Sequence, residues 1–108
     1  MNIMEHDGYK ARIEYDPELD QFRGEILGIY GLADFYAKTT RQLHYEFRKS
    51  LLLFLDVCAE KGVEPRRAYS GKFNLRVSEE LHESIAVRAA AEGVSLNSWV
   101  VGILRESI

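Results

Sequence analysis

Cysteine is almost missing from this sequence. Cys58 stands alone, so no intramolecular disulfide can staple the fold and no multi-cysteine zinc site can form. Positive charge is not in excess either: the formal net charge is -3 over 108 residues. That counts mildly against nucleic-acid binding, because a few well-placed cations on a dimer can suffice. Long apolar runs are missing as well. No window approaches the run of about 18 apolar residues that spans a bilayer. Residues 1–10 contain no apolar h-region, so neither a membrane span nor a signal peptide is expected. Repeats, low-complexity segments, a Walker loop and a nucleophile elbow are all absent. Gly24, Gly28 and Gly31 are too widely spaced, and precede no helix, to cradle a phosphate. His6, His44 and His82 fall in three different elements without ligand spacing, so no metal and no cofactor are expected. With apolar neighbours and nothing nearby to lower its pKa, Cys58 reads as a core residue rather than a nucleophile. What remains is the composition of a folded, soluble protein whose default address is the cytoplasm.

The most informative stretch is Gly71-Lys72-Phe73-Asn74-Leu75-Arg76-Val77-Ser78. Phe73, Leu75 and Val77 alternate with Lys72, Asn74 and Arg76, the pattern of a short strand with one apolar and one polar face. Lysine, asparagine and arginine are the side chains that bond well to guanine and adenine edges in a major groove. The stretch is too short to be stable alone and only helix-like sequence follows it, so it needs a partner strand, of which a second copy of itself is the obvious candidate. Ser78 then caps a helix whose apolar stripe is Leu81, Ile85 and Ala89, with Glu79 and Glu80 at its positive end. Gly93 supplies a left-handed stop. Ser95 caps a last helix with Leu96, Val100, Ile103 and Leu104 on one face, to which Trp99 and Val101 add bulk. Strand, helix and helix in under forty residues close no core, so this part calls for oligomerisation.

The first part reads differently. Residues 1–8 look like a loose start. Tyr9, Ala11, Ile13 and Tyr15 alternate with Lys10, Arg12 and Glu14 in a half-buried strand. Asp16-Pro17-Glu18-Leu19-Asp20 is turn material. A second strand carries Phe22, Gly24 and Ile26 on one face, and a third alternates Ala33, Phe35 and Ala37 with Asp34, Tyr36 and Lys38. Short connections favour an antiparallel meander. Thr39 or Thr40 caps a helix to about Lys61 with a buried stripe of Leu43, Phe47, Leu51, Phe54 and Cys58. Leu52, Leu53 and Leu55 widen its apolar surface, either as a thick cover for a small sheet or as a contact with another chain. Gly62 ends the helix, and a short fourth strand near Ala68 is compatible with the sequence.

Phe73-Asn74-Leu75-Arg76, followed by Ser95 and Asn97-Ser98 after Gly93, resembles the ribbon-helix-helix domain of the Arc repressor family, ungapped from the strand into the last helix. In that family two strands pair antiparallel and enter the major groove. The resemblance implies that Lys72, Asn74 and Arg76 contact bases, and that Ser95 and the amides of Leu96 and Asn97 contact phosphate. It implies a dimer core of Phe73, Leu75, Val77, Leu81, Ile85, Val100, Ile103 and Leu104. Arc's buried charged triad is replaced here by Val94, Trp99 and Ile103, a kind of change that stabilises such a dimer and keeps operator binding. The first reader is lysine where Arc has glutamine, which implies a different sequence preference.

From about Tyr9 to the end the chain is also similar to the HicB antitoxin family, in its ribbon-helix-helix branch. The most specific residues are Cys58-Ala59-Glu60-Lys61-Gly62-Val63-Glu64-Pro65, Tyr69-Ser70-Gly71-Lys72-Phe73 and Leu81-His82. That similarity implies a catalytically inactive, partial ribonuclease-H-like first domain that blocks HicA, a messenger-RNA-cleaving toxin, and a tail that represses the operon. Ala37-Lys38-Thr39-Thr40 and Ser50-Leu51-Leu52-Leu53 depart from the family's usual turn and acidic patch.

The expected fold is therefore α+β: an N-terminal antiparallel sheet with one covering helix (1–69, toxin-binding or regulatory), then a ribbon-helix-helix dimerisation and DNA-binding domain (70–108). The expected function is a HicB-type antitoxin and repressor, not an enzyme. Its partners are operator DNA, a second copy (or a higher oligomer) and a HicA-type toxin, with no membrane. Two alternatives stay open. One is a stand-alone ribbon-helix-helix regulator whose first domain only oligomerises or binds a ligand. The other is a small metal-dependent nuclease using Glu14, Asp16, Asp20, Glu25 or Asp34, although charged-surface duty explains those carboxylates better.

Overall fold

The computed structural model describes residues 2–108; Met1 lies outside the described residues. The architecture is α+β, with four strands followed by three helices. Two compact units make up the chain, Met1–Ser70 and Gly71–Ile108. No helix among the described residues is long and apolar enough to cross a membrane.

The first unit is an antiparallel meander of β1 (Ile3–His6), β2 (Tyr9–Asp16), β3 (Gln21–Leu27) and β4 (Asp34–Ala37), in that spatial order. The strand β1 corrects the expectation of a loose start. It pairs with β2 in the register His6↔Tyr9, across a two-residue turn at Asp7 and Gly8 whose φ values are 47° and 78°. Positive φ at both central residues is what a type I′ hairpin needs, and its twist matches that of the strands it joins. At the next turn Asp16 Oδ1 accepts from the amides of Glu18 (3.0 Å) and Leu19 (3.4 Å). The Tyr15 hydroxyl donates to Asp20 at 2.7 Å, a bond that raises the Tyr15 pKa above that of an ordinary phenol.

One face of this sheet is apolar. Ala11 pairs with Ile26, Gly24 with Phe35, and Phe22 with Ala37. Gly24 is glycine for lack of room: a Cβ there would lie 2.1 Å from Phe35 Cζ. The Phe35 ring covers that bare backbone and stacks on Phe47 with centroids 5.2 Å apart and planes 7° from parallel. Phe47 comes from α1 (Thr40–Lys61), which buries Leu43, Phe47, Leu51 and Cys58. Phe54, the fifth residue of the expected stripe, is half-buried beside this core. The helix starts where the sequence places it. Thr39 accepts from the Gln42 amide at 3.1 Å, and the Gln42 side chain accepts from the Lys38 amide at 3.0 Å, a capping box displaced by one residue on its return arm.

Gly62, with φ 65°, ends α1, and Val63 N–H reaches back to the Cys58 carbonyl at 3.0 Å. The chain then adds a single bridge to the sheet unit at Ile29↔Arg66 rather than near Ala68. The Arg66 guanidinium holds that return in place, 3.9 Å from the centre of the Tyr9 ring and donating to the Gly8 carbonyl at 3.3 Å.

The second unit contains α2 (Glu79–Ala91) and α3 (Leu96–Ser107), packed on each other. Its first residues, Gly71 to Ser78, form no strand in the single chain, where the partner strand that the sequence calls for is not present. A strand is held by a hydrogen-bonded neighbour, and nothing in this unit except two helices is there to serve as one.

Candidate nucleic-acid interface

The segment 71–78 carries two cations, Lys72 and Arg76, and no acidic residue, although the whole chain is acidic. All eight residues are exposed, and the exposure of the apolar ones is unusual: Phe73 is 77% and Leu75 62% accessible. An extended segment explains an exposed lysine, but not two exposed core-type side chains at strand spacing.

The residues expected to form a dimer core divide into two groups. Phe73, Leu75, Val77, Ile85, Val100 and Leu104 come together, lining one open groove of about 620 Å³. Leu81 and Ile103 do not line it and are exposed elsewhere, at 49% and 42%. Of the three expected base readers, Lys72 and Asn74 border the groove whereas Arg76 does not. No salt bridge of Arg76 occurs among the described residues. Val101 and His82 also line the groove; the sequence marked Val101 only as added bulk on the last helix and His82 only as a histidine without ligand spacing and as part of the Leu81-His82 pair, and placed neither in the dimer core. Their signal for the groove is helical spacing relative to Asn97 and Ile85, which many solvated positions share.

Two caps set the helix starts. Ser78 Oγ accepts from the Leu81 amide at 3.2 Å, and Ser95 Oγ accepts from the Ser98 amide at 3.0 Å. Ser95 thus satisfies the third amide of α3, while the first two, at Leu96 and Asn97, precede the intrahelical ladder and remain at the positive end of the helix dipole. Between the helices, Gly93 at φ 69° lets Val94 N–H reach the Ala89 carbonyl at 3.0 Å. The Trp99 indole N–H donates to the Glu92 carboxylate, tying the start of α3 to the end of α2. Ala89 is the one buried residue of this unit, so the groove and the faces around it stay open.

The carboxylates of the first unit have other occupations. Arg12 bonds Glu25 at 2.8 Å and lies 3.3 Å from Glu14, and Arg23 bonds Asp34 at 2.6 Å. The Asp34 contact comes first in holding the Arg23 pKa above that of an ordinary guanidinium. Asp16 and Asp20 serve the β2–β3 turn. Among the described residues no group of three or more histidines, cysteines and acids is placed to hold a metal ion.

Residues 54–104 match the model of the HicB family. The matched segment begins in the last two turns of α1 and runs through Gly71–Ser78 and α2 into α3, just under half of the chain. The match leaves β1–β4 outside it. No curated protein and no solved structure matches the chain.

Proposed function

We propose that this chain is a HicB-type antitoxin and transcriptional repressor. Two copies pair their 71–78 segments as an antiparallel ribbon, Phe73, Leu75 and Val77 pack inward over α2 and α3, and Lys72, Asn74 and Arg76 contact bases in a major groove. Ser95 and the amides of Leu96 and Asn97 hold a phosphate on each side, which fixes register without a cation. In this reading residues 70–108 are the ribbon-helix-helix domain and 1–69 the partial ribonuclease-H-like domain, without catalytic residues. The first domain neutralises a HicA-type toxin in the cytoplasm.

The observation that carries the proposal is the HicB match over 54–104, centred on a segment whose alternating apolar side chains are exposed in the single chain. The test is binding of the full chain to DNA from upstream of its own gene, followed by fluorescence anisotropy. Arg76→Ala is expected to cost about 1–3 kcal/mol and to relax preference at one base pair. An R76A protein that binds the same DNA as tightly and as selectively as the parent defeats the base-reading assignment.

A second reading keeps the DNA-binding dimer but makes the first domain an oligomerisation or ligand module. It is favoured by β1–β4 lying outside the family match and by the exposed leucines of α1. Co-purification with the product of a neighbouring short gene decides for the antitoxin. The nuclease reading loses ground because its carboxylates are engaged in ion pairs on the sheet and in a turn.

A further inference from the structure

We infer that the outer face of α1 is a self-complementary contact, through which two copies of this chain pair their first units antiparallel. The observation is a pattern on the side of α1 away from its buried stripe. Tyr45, Lys49, Leu52, Asp56 and Glu60 follow one another there at helical spacing, and all are exposed. Leu52 and its neighbour Leu53 are 56% and 67% accessible. Leucines at the middle of a helix's solvent face weaken solubility without adding to the core beneath them, and with the exposed Tyr45 they give this face an apolar middle that suits a contact.

Charge selects the occupant. On this side the cations Arg41, Arg48 and Lys49 precede the leucines and the anions Asp56 and Glu60 follow them, with Glu46 half-buried at the flank. A face positive at one end, negative at the other and apolar in the middle fits a second copy of itself turned end for end. With a two-fold axis midway between Leu52 and Leu53, Lys49 meets Asp56 of the second copy and Tyr45 meets Glu60 of the second copy, each pair occurring twice by symmetry. Antiparallel alignment also sets each helix's positive end beside the other's negative end. A contact of one helix with its copy is smaller than the roughly 1,200–2,000 Å² of a stable stand-alone interface. Pairing is therefore reversible and depends on concentration, and it gains strength where another contact already links copies. It requires neither DNA binding nor a toxin.

Sedimentation of the full chain across a range of concentrations tests this. The parent is expected to reach an assembly of twice the mass reached by Leu52→Glu/Leu53→Glu. Lys49→Glu and Asp56→Lys each weaken that step by about tenfold, since each creates two like-charge pairs. The combined K49E/D56K chain, which restores opposite charges, recovers the parent's assembly. Because all four positions are exposed, circular dichroism should show every variant folded, and the charge swap carries the test if the leucine variant is not. Leu75→Glu separates this contact from the ribbon: the proposal expects L75E to keep the α1 step and to lose only the ribbon step. If L75E changes nothing while L53E halves the mass, the ribbon reading fails and this one stands. An assembly unaffected by the α1 leucine variant, or a charge swap that restores nothing, overturns the proposal; a surface kept for a different protein gives that outcome.

Discussion

The two units of this chain use apolar side chains in opposite ways. In Met1–Ser70 one set of large ones closes a core: Phe47 and Leu51 are the largest fully buried side chains among the described residues, and Phe35, Ile26 and Leu43 pack with them, while Leu32, Leu52 and Leu53 stay exposed. In Gly71–Ile108 the apolar content is just as evident, yet Phe73, Leu75, Leu81, Ile103 and Leu104 are all at least 42% accessible. The difference is one of geometry rather than composition. A four-stranded sheet offers a whole face for one helix to cover, whereas two helices and an extended segment have apolar sides left over. Burial of a phenylalanine or leucine is worth about 1.5–3 kcal/mol, so the first unit collects most of this for its core within one chain, whereas the groove residues of the second collect it by meeting another.

The sharpest way to break that contrast is to remove the keystone of the closed core. Phe47 joins the helix to Phe35, which in turn covers Gly24. Phe47→Ala is expected to cost about 3–5 kcal/mol. Urea unfolding in the Leu52→Glu/Leu53→Glu background, which lacks the α1 contact, should report that loss for the first unit at any protein concentration, with the helices of the second unit unaffected. A cost below about 1 kcal/mol would mean that the stacked pair is not what closes this core.

The second unit should respond to a variable that leaves the first untouched. If its core forms only between copies, each tenfold dilution lowers the stability of the pair by about 1.4 kcal/mol, whereas in a Leu52→Glu/Leu53→Glu background, where the α1 contact is removed, the first unit's transition stays where it is. Thermal melts at several concentrations distinguish the two. A second transition that ignores dilution, in a chain that remains monomeric, would contradict dimerisation through the 71–78 segment.

These contrasts were unevenly legible in the sequence. The alternation in Tyr9–Tyr15, the stripe Leu43-Phe47-Leu51 and the caps Thr39, Ser78 and Ser95 each follow from local chemistry, and the structure has them where the residues imply. The strand β1 was legible too, in the Asp7-Gly8 pair between alternating residues, but its four residues are weakly apolar and read as a loose start. The bridge at Arg66 was not legible, because it depends on a contact between Arg66 and the Tyr9 ring across most of the unit's sequence. For the candidate interface, residue types and spacing were readable, whereas the groove involving Val101 and His82 depends on how α2 crosses α3. Gly24 shows the limit most clearly: its lack of a side chain makes sense only once Phe35 is seen lying over it.

The smallest expected effect concerns the cations of the two units. Arg12 sits on the open face of the sheet between Glu14 and Glu25, while Arg76 has no carboxylate partner among the described residues. Chemically the two are alike, and their surroundings give them different work. Half-exposed ion pairs contribute about 0–1 kcal/mol and are screened by salt. Arg12→Ala is thus expected to lower the stability of the first unit by no more than about 1 kcal/mol at low ionic strength. The difference should shrink toward zero near 1 M salt, where charges are screened within about 3 Å. DNA binding at fixed salt should be unchanged, because a neutralised arginine has little field left to offer a phosphate. An R12A chain with weakened DNA binding would show that the sheet face takes part in recognition, and the division of labour between the two units would have to be redrawn.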